Sequence, residues 1–391
     1  MFSDFSQFAP TNPNQLWLEI SPNTQSLAWD RSLSCSTPSS RWNAYLNLLV
    51  LYEFLPWLRA EHCLKAQIFP HAAALSSIWE LVNGTAINLD ARRLVLLPSE
   101  TIDLEELCVP QEWVDIPHWV ADYYLAVQVN PDDRWLRVWS YTTHLKLKTG
   151  GCYDKSDRAY YAAESDLIED LSVLWLSQSL CPQEETRSSL KMLPNPAKPE
   201  ADNLIANLSR SELVQPRLSA PFELWGALLA HGGWRQQLYH KRLGLPEGRS
   251  MSEWLRRGIG NLAREFGWTK IDFFPSWEGA RGLKNSSPSA CLSRQLTIAG
   301  QDYELRVLPL GTLNQRIWRF ELRNLAIGAL VPGGFKLRLL TEDLRPFENN
   351  EDIATTAVEQ LYIEVQFKAG EGLVWEIEPT PDNYDREILR F

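Results

Sequence analysis

The hydrophobic pattern of this chain changes period several times. From Ser39 the segment SSRWNAYLNLLVLYEFLPWLRAEH places Trp42, Tyr45, Leu49, Tyr52 and Leu55 near helical spacing, which predicts one long helix packed on a core. A shorter helix is predicted in AAALSSIWELVNG, with Gly84 as its C-cap. The period then drops to two. AINLD-ARRLVLLP reads as a hairpin, and two further strands flank Asn130-Pro131-Asp132-Asp133, a run of turn-forming residues. In the strand after that turn, Trp135, Arg137, Trp139 and Tyr141 fall on one face and Leu136, Val138 and Ser140 on the other. Helical spacing returns in ESDLIEDLSVLWLSQSL, where Ser165 is the candidate N-cap. Residues 1–180 therefore read as an α+β domain with a small antiparallel sheet or barrel covered by helices.

Prolines at 182, 194, 196, 199, 216 and 221, with many Ser, Asn and Glu, mark 181–220 as a linker. Beyond it, FELWGALLAHGGWRQQLYHKRLG carries Phe222, Trp225 and Leu229 as a core stripe. His231-Gly232-Gly233 breaks the helix, and a second one ends at Gly244. Ser250 and Glu253 form a capping box for a third helix, predicted to stop at Gly267. Residues 221–280 thus read as a helical unit. Residues 291–391 read as strands and turns, with a hairpin at Ala299-Gly300. Phe335, Leu337, Leu339, Leu361, Ile363, Val365 and Phe367 are the expected inward positions. That spacing predicts a β-sandwich of immunoglobulin-like type, and the whole an α+β multidomain chain.

Length supports more than one domain, since a single core does not grow to 391 residues. A net charge of -11 works against nucleic acid and anionic lipid as partners. Residues 221–268 hold seven basic side chains against four acidic, but the signs are interleaved rather than striped. The N-terminus shows no basic n-region followed by an apolar run, and Asn47, Glu53 and Pro56 interrupt the longest apolar segment. A soluble cytoplasmic protein without a membrane segment is expected. Its six cysteines share no CxxC spacing and read as free thiols, mostly buried.

No spacing specifies a reaction. His62, His71, His118, His144, His231 and His240 are scattered, so no metal site or cofactor is expected. There is no nucleophile elbow, and Gly258-Ile259-Gly260 and Gly333-Gly334 do not fit a phosphate cradle. The aromatics on the strand after Asp133 invite sugar or base stacking, but buried strand faces are the commoner cause. Trp content, 17 residues, fits filled cores or interface anchors. Aromatic and arginine side chains make interface hot spots. On that ground Trp234, Arg235, Tyr239, Lys241 and Arg242 are the candidate partner-binding residues, with Trp234 and Tyr239 bridging core and rim and the three cations wet.

The runs VDIPHWVADYYLAVQVNPDDRWLRVWSYTTHLKLK, YDKSDRAYY with DLIEDLSVLW, and PFELWGALLAHGGWRQQLY together resemble the cyanobacterial domain-of-unknown-function family 1822. That resemblance implies a soluble intracellular protein with no reaction attached. Some members lie near genes for alternative sigma factors and stress signalling, which implies regulation through protein contact. The expected function is a non-enzymatic, protein-binding regulator or scaffold. The alternative is an enzyme or carbohydrate binder with a pocket between the N-terminal domain and the helical unit.

Overall fold

The computed structural model describes residues 14–210, 212–245, 250–260, 264, 266–273, 289–311 and 315–391. The chain is α+β and divides into two compact units, Met1–Leu245 and Pro246–Phe391. No helix among the described residues is long and apolar enough to cross a membrane.

The first unit is built on a six-stranded sheet: β1 (Leu16–Glu19), β2 (Gln67–Phe69), β3 (Thr85–Leu89), β4 (Arg92–Ser99), β6 (Tyr123–Asn130) and β7 (Trp135–Thr143). Its order is β1-β7-β6-β4-β3-β2. The sheet is mixed rather than antiparallel throughout, because β4 and β6 run parallel. A parallel pair needs a crossover, and β5 (Glu106–Pro110) with α4 (Gln111–Asp115) supplies it. β5 also joins β8 (Cys152–Asp154) and β9 (Ala159–Ala163) in a small second sheet of order β5-β9-β8. The helices are α1 (Pro22–Ser32), α2 (Pro38–Glu61), α3 (Leu75–Trp79), α5 (His144–Gly150), α6 (Leu171–Leu180), α7 (Lys198–Leu208), α8 (Phe222–Ala230) and α9 (Gly232–Arg242). α2 opens on a Thr37–Ser40 capping box with Pro38 in its first turn, where no backbone donor is lost.

The second unit holds α10 (Met251–Arg257) and two antiparallel sheets. One is β10 (Trp268–Phe273), β11 (Ser289–Ile298), β12 (Gln301–Leu310), β13 (Ile317–Asn324) and β16 (Leu361–Gln366), in that order. The other, of order β15-β14-β17-β18, contains β14 (Lys336–Thr341), β15 (Glu351–Ile353), β17 (Gly372–Glu378) and β18 (Leu389–Arg390). Trp318 and Phe320 of β13, Leu337 and Leu339 of β14, and Trp375 of β17 share one core with Met251 and Leu255 of α10. Period-two alternation did its work here: the expected inward residues Phe335, Leu361, Ile363 and Phe367 are buried, and Val365 packs against them in part.

Several sequence expectations change. The helical unit over 221–280 is not a separate body. α8 and α9 fall in the first unit, where they pack on each other and α9 also on α3 and α7, while α10 falls in the second and spends Met251 and Leu255 on its core. The segment 181–220 is no free linker. Arg92 donates to the carbonyls of Pro182 (2.9 Å) and Glu184 (2.7 Å), Leu145 N donates to Thr186 O (2.8 Å), and α7 buries Ala201, Ile205 and Leu208. Proline content signalled an absence of regular structure, which is compatible with a strap laid on a domain. The third helix ends at Arg257 with Gly258 at φ 88°, short of Gly267. Residues 274–280 of the expected helical unit, and the stretch up to 288 that separates it from the expected sandwich, lie outside the described residues.

Candidate functional site

The five residues expected to contact a partner are largely enclosed by the first unit. Trp234 is buried with its ring stacked on His231, centroids 4.3 Å apart. Tyr239 donates its hydroxyl to Ser34 O at 2.8 Å. Arg235 is 1 % exposed; its Nε reaches Ser77 Oγ (3.1 Å), its Nη1 reaches Leu229 O (2.9 Å), and its guanidinium lies 5.6 Å from the Trp119 ring. The Arg242 side chain is 3 % exposed, with Nε on Glu80 Oε1 at 2.7 Å and Nη1 on the carbonyls of Leu208 and Leu213. Lys241 alone of the three cations is half-buried at the surface of α9. The arginines read as wet are thus internal ties between α9, α3 and the strap. Basic residues in a helix pattern carry no sign of which carboxylate or carbonyl will meet them, and that is why the expectation failed. The side chains of Trp225, Leu228, Leu229 and Leu238 on these helices are likewise buried.

What the sequence left unseen is a set of buried carboxylates that other arginines and several indoles satisfy. Glu112 has no exposed side-chain surface and accepts from Arg217 Nε (3.0 Å) and Nη2 (2.7 Å) and from Trp225 Nε1 (2.8 Å). Asp122 accepts from Arg187 Nη2 (2.6 Å), Arg92 Nη1 (3.1 Å), Thr186 Oγ1 (2.5 Å) and Arg93 N (2.7 Å). Burial works to raise its pKa, but the bonds from Arg187, Thr186 and Arg93 outweigh it and hold the carboxyl below its ordinary range. In the second unit Glu387 accepts from Trp268 Nε1 (3.0 Å), Trp375 Nε1 (2.8 Å) and Arg294 Nη1. Each carboxylate is closed off by donors. They hold elements together and offer no free acid or base to a substrate.

The feature that is not closed off is α6. Asp170 caps it, its side chain accepting from Ser172 N at 2.9 Å, and Leu171 N donates to Asn14 O at the start of β1. Ser165, the expected cap, sits in a short 3₁₀ turn over Glu164–Asp166, because Ile168 first makes a β-bridge to Tyr141 and delays the helix. Leu171 and Leu174 turn inward. Trp175 stacks flat on His62 at the end of α2, 4.0 Å between centroids and 14° between planes, with Trp57 5.0 Å from the same imidazole. Burial lowers the His62 pKa, so the ring between the two indoles is neutral at pH 7. The outer face carries Ser172, Val173, Leu176, Ser179 and Leu180. Val173 is 42 %, Leu176 56 % and Leu180 75 % exposed, and Leu64, two residues past His62, is 84 % exposed. α6 contains no charged residue. An uncharged helix this rich in leucine is normally buried over most of its surface. This one has one side covered and the other open.

Other apolar groups are exposed elsewhere, Leu27, Trp29, Leu33 and Trp42 among them. Trp29 and Trp42 both lean on Tyr45, with Trp42 Nε1 donating to Glu100 Oε2 at 2.6 Å, and Ile327 stands at a loop tip. A hollow of about 280 Å³ lined by Asn349, Glu351, Asp352, Tyr362, Ile363 and Glu364 opens at β15 and β16. Among the described residues, no three of His, Cys, Asp and Glu converge as metal ligands. The six cysteines form no disulfide. Only Cys35 and Cys291 are buried, fewer than expected, while Cys108, Cys152 and Cys181 are exposed.

The chain belongs to the family described as protein of unknown function (DUF1822), whose model matches residues 18–390 and so spans both units. No curated protein and no solved structure matches it.

Proposed function

We propose that this DUF1822 protein is a non-enzymatic regulator or scaffold that docks a helix of a partner protein against the outer face of α6. One observation carries the reading: α6 is uncharged, fixed along its inner side, and open along Val173, Leu176 and Leu180. Those residues sit at i, i+3 and i+7, the spacing with which one helix receives another. Ten residues give a contact line of about 15 Å, two to three turns of a partner helix. The aromatic stack of Trp57, His62 and Trp175 is a rigid shoulder beside it, the kind of side chain that anchors interfaces. We take the cytoplasm and a sigma-factor or stress-signalling pathway as the setting, as the family resemblance implies. We read the two sheets of the second unit as an immunoglobulin-like recognition module, supported by their antiparallel strands and shared core.

The test is hydrogen exchange on the full chain with and without a partner recovered from native lysate. Protection should appear at α6, and Leu176→Asp should lose the partner with only a small change in its unfolding midpoint, since more than half of Leu176 is already in water. A partner retained by Leu176→Asp would sink the reading.

A further inference from the structure

We infer that the partner helix carries basic residues at both ends of its apolar stripe; this rests on the docking role proposed for α6 and adds its charge selectivity. Carboxylates frame the uncharged face. At its N-terminal end stand Glu169 and Asp170, the first exposed and the second half-buried as the cap. Past its C-terminal end the strap presents Glu184 and Glu185, both exposed, with Glu184 accepting from Ser177 Oγ and so held alongside the helix. On the flank, exposed Glu61 precedes His62, whose ring lies on Trp175.

The neighbouring cations balance this only in part. Arg187 is paired with Asp122 at 2.6 Å. Arg59 and Arg137 donate to neutral acceptors, the Ala66 carbonyl at 2.9 Å and Gln15 Oε1 at 2.5 Å, and keep their charge, with Arg137 acting on Glu169. Lys65, beside Leu64, is exposed, and no cation is paired with Glu184 or Glu185 among the described ion pairs. An apolar strip about 15 Å long, with carboxylates at each end, therefore complements an apolar helix with Lys or Arg at each end.

The same frame argues against a second copy of this chain as the occupant. In a two-fold pairing of α6 with itself the helices run antiparallel or parallel. Glu169 and Asp170 of one copy then face Glu184 and Glu185 of the other, or their own counterparts, and either way like stands against like. The chain's net charge of -11 adds to that repulsion.

The experiment uses the full chain and three synthetic helical peptides with one common leucine stripe, ended by lysine, glutamine or glutamate. Binding is read from peptide anisotropy at low and high salt. The lysine form should bind about tenfold more tightly than the glutamine form at low salt, with the glutamate form weakest. The difference should collapse near 1 M salt, where screening acts within about 3 Å. Replacing Glu169, Glu184 and Glu185 with Gln should erase the lysine preference and leave glutamine-form affinity in place. Equal binding of all three peptides overturns the charge inference while the docking role stands. No binding by any of them, or undiminished binding to Leu176→Asp, overturns the docking role itself. Concentration-dependent dimerisation that Leu176→Asp abolishes would assign the face to a second copy and overturn both.

Discussion

At the scale of single residues, the high tryptophan content is explained by two jobs that are often combined in one side chain. Trp113, Trp225, Trp268, Trp318 and Trp375 have no exposed surface, so each fills a core. Three of them also donate an indole N–H to a buried carboxylate, Trp225 to Glu112 and Trp268 with Trp375 to Glu387. A buried carboxylate left without donors is very costly, and a planar arginine plus an indole closes it with no water needed. Glu112→Gln keeps the shape and should cost less than Glu112→Ala. The alanine variant strands Arg217 and Trp225 and should lose about 3–5 kcal/mol in urea denaturation. His144 gives a pH prediction. Its Nδ1 accepts from Ser188 N and its Nε2 lies 2.9 Å from Val114 O, so the neutral ring with the proton on Nε2 satisfies both. Burial lowers its pKa below the unfolded value, even though the Val114 bond acts the other way. The unfolded chain therefore takes up the proton first as pH falls. The stability this group supports is complete above about pH 6.5 and is lost as pH drops through the lower folded value. The urea midpoint should fall between pH 7 and 5, and His144→Gln should flatten that slope from a lower starting point. His62 and His240, also lowered by burial, add to the wild-type slope with the same sign.

Among secondary-structure elements, hairpins followed local sequence most closely. The turn Ala299-Gly300 has both residues at positive φ, 52° and 77°, which suits the right-handed twist of β11 and β12. β7 is different. Its register shifts between Ala126 and Val127, so Trp139 is the extra residue of a bulge, and the single aromatic face expected for Trp135, Trp139 and Tyr141 does not exist. Trp135 stays half-exposed against Trp17, centroids 5.1 Å apart, while Trp139 and Tyr141 are buried. No ladder for sugars or bases remains. Gly84 shows a comparable displacement of cause. It caps no helix, since α3 ends at Trp79, and instead enters β3 at φ 117° where an added Cβ would lie 2.6 Å from Trp113 Nε1. That nitrogen already donates to Asn83 O at 2.7 Å. Gly84→Ala should thus combine backbone strain with overpacking and cost about 1–3 kcal/mol, read as a lowered urea midpoint.

For the whole molecule, the boundaries between structural units were the hardest thing to read. Composition placed a break near 181–220, and the chain instead continues through that segment as a strap on the first unit, with the division at Leu245 and Pro246. Arg92 and Asp122 create the strap by taking up its carbonyls and Thr186, contacts about 90 and 64 residues apart in sequence that no local pattern signals. The exposed thiols follow from the same packing. In the native protein Cys152 and Cys181 should react fastest with a thiol reagent, and Cys108 more slowly because burial raises its pKa. Cys35, buried and pushed up to about 12, should react only after unfolding. Fast modification of Cys35 under native conditions would show that the packing of α1 and α2 against α3 is looser than described here.

The sequence by itself determined the class of the fold, most strands and helices, and the inward faces of the second unit. Those follow from periods of 2 and 3.6, which act within a few residues. The tertiary structure decided which charges are wet. Arg235 and Arg242 look like surface residues until Ser77, Glu80 and the strap carbonyls close around them. Val173, Leu176 and Leu180 look like core until nothing covers them. Burial is a property of neighbours distant in the chain, and an apolar face announces its spacing without announcing whether its own fold or another molecule will meet it.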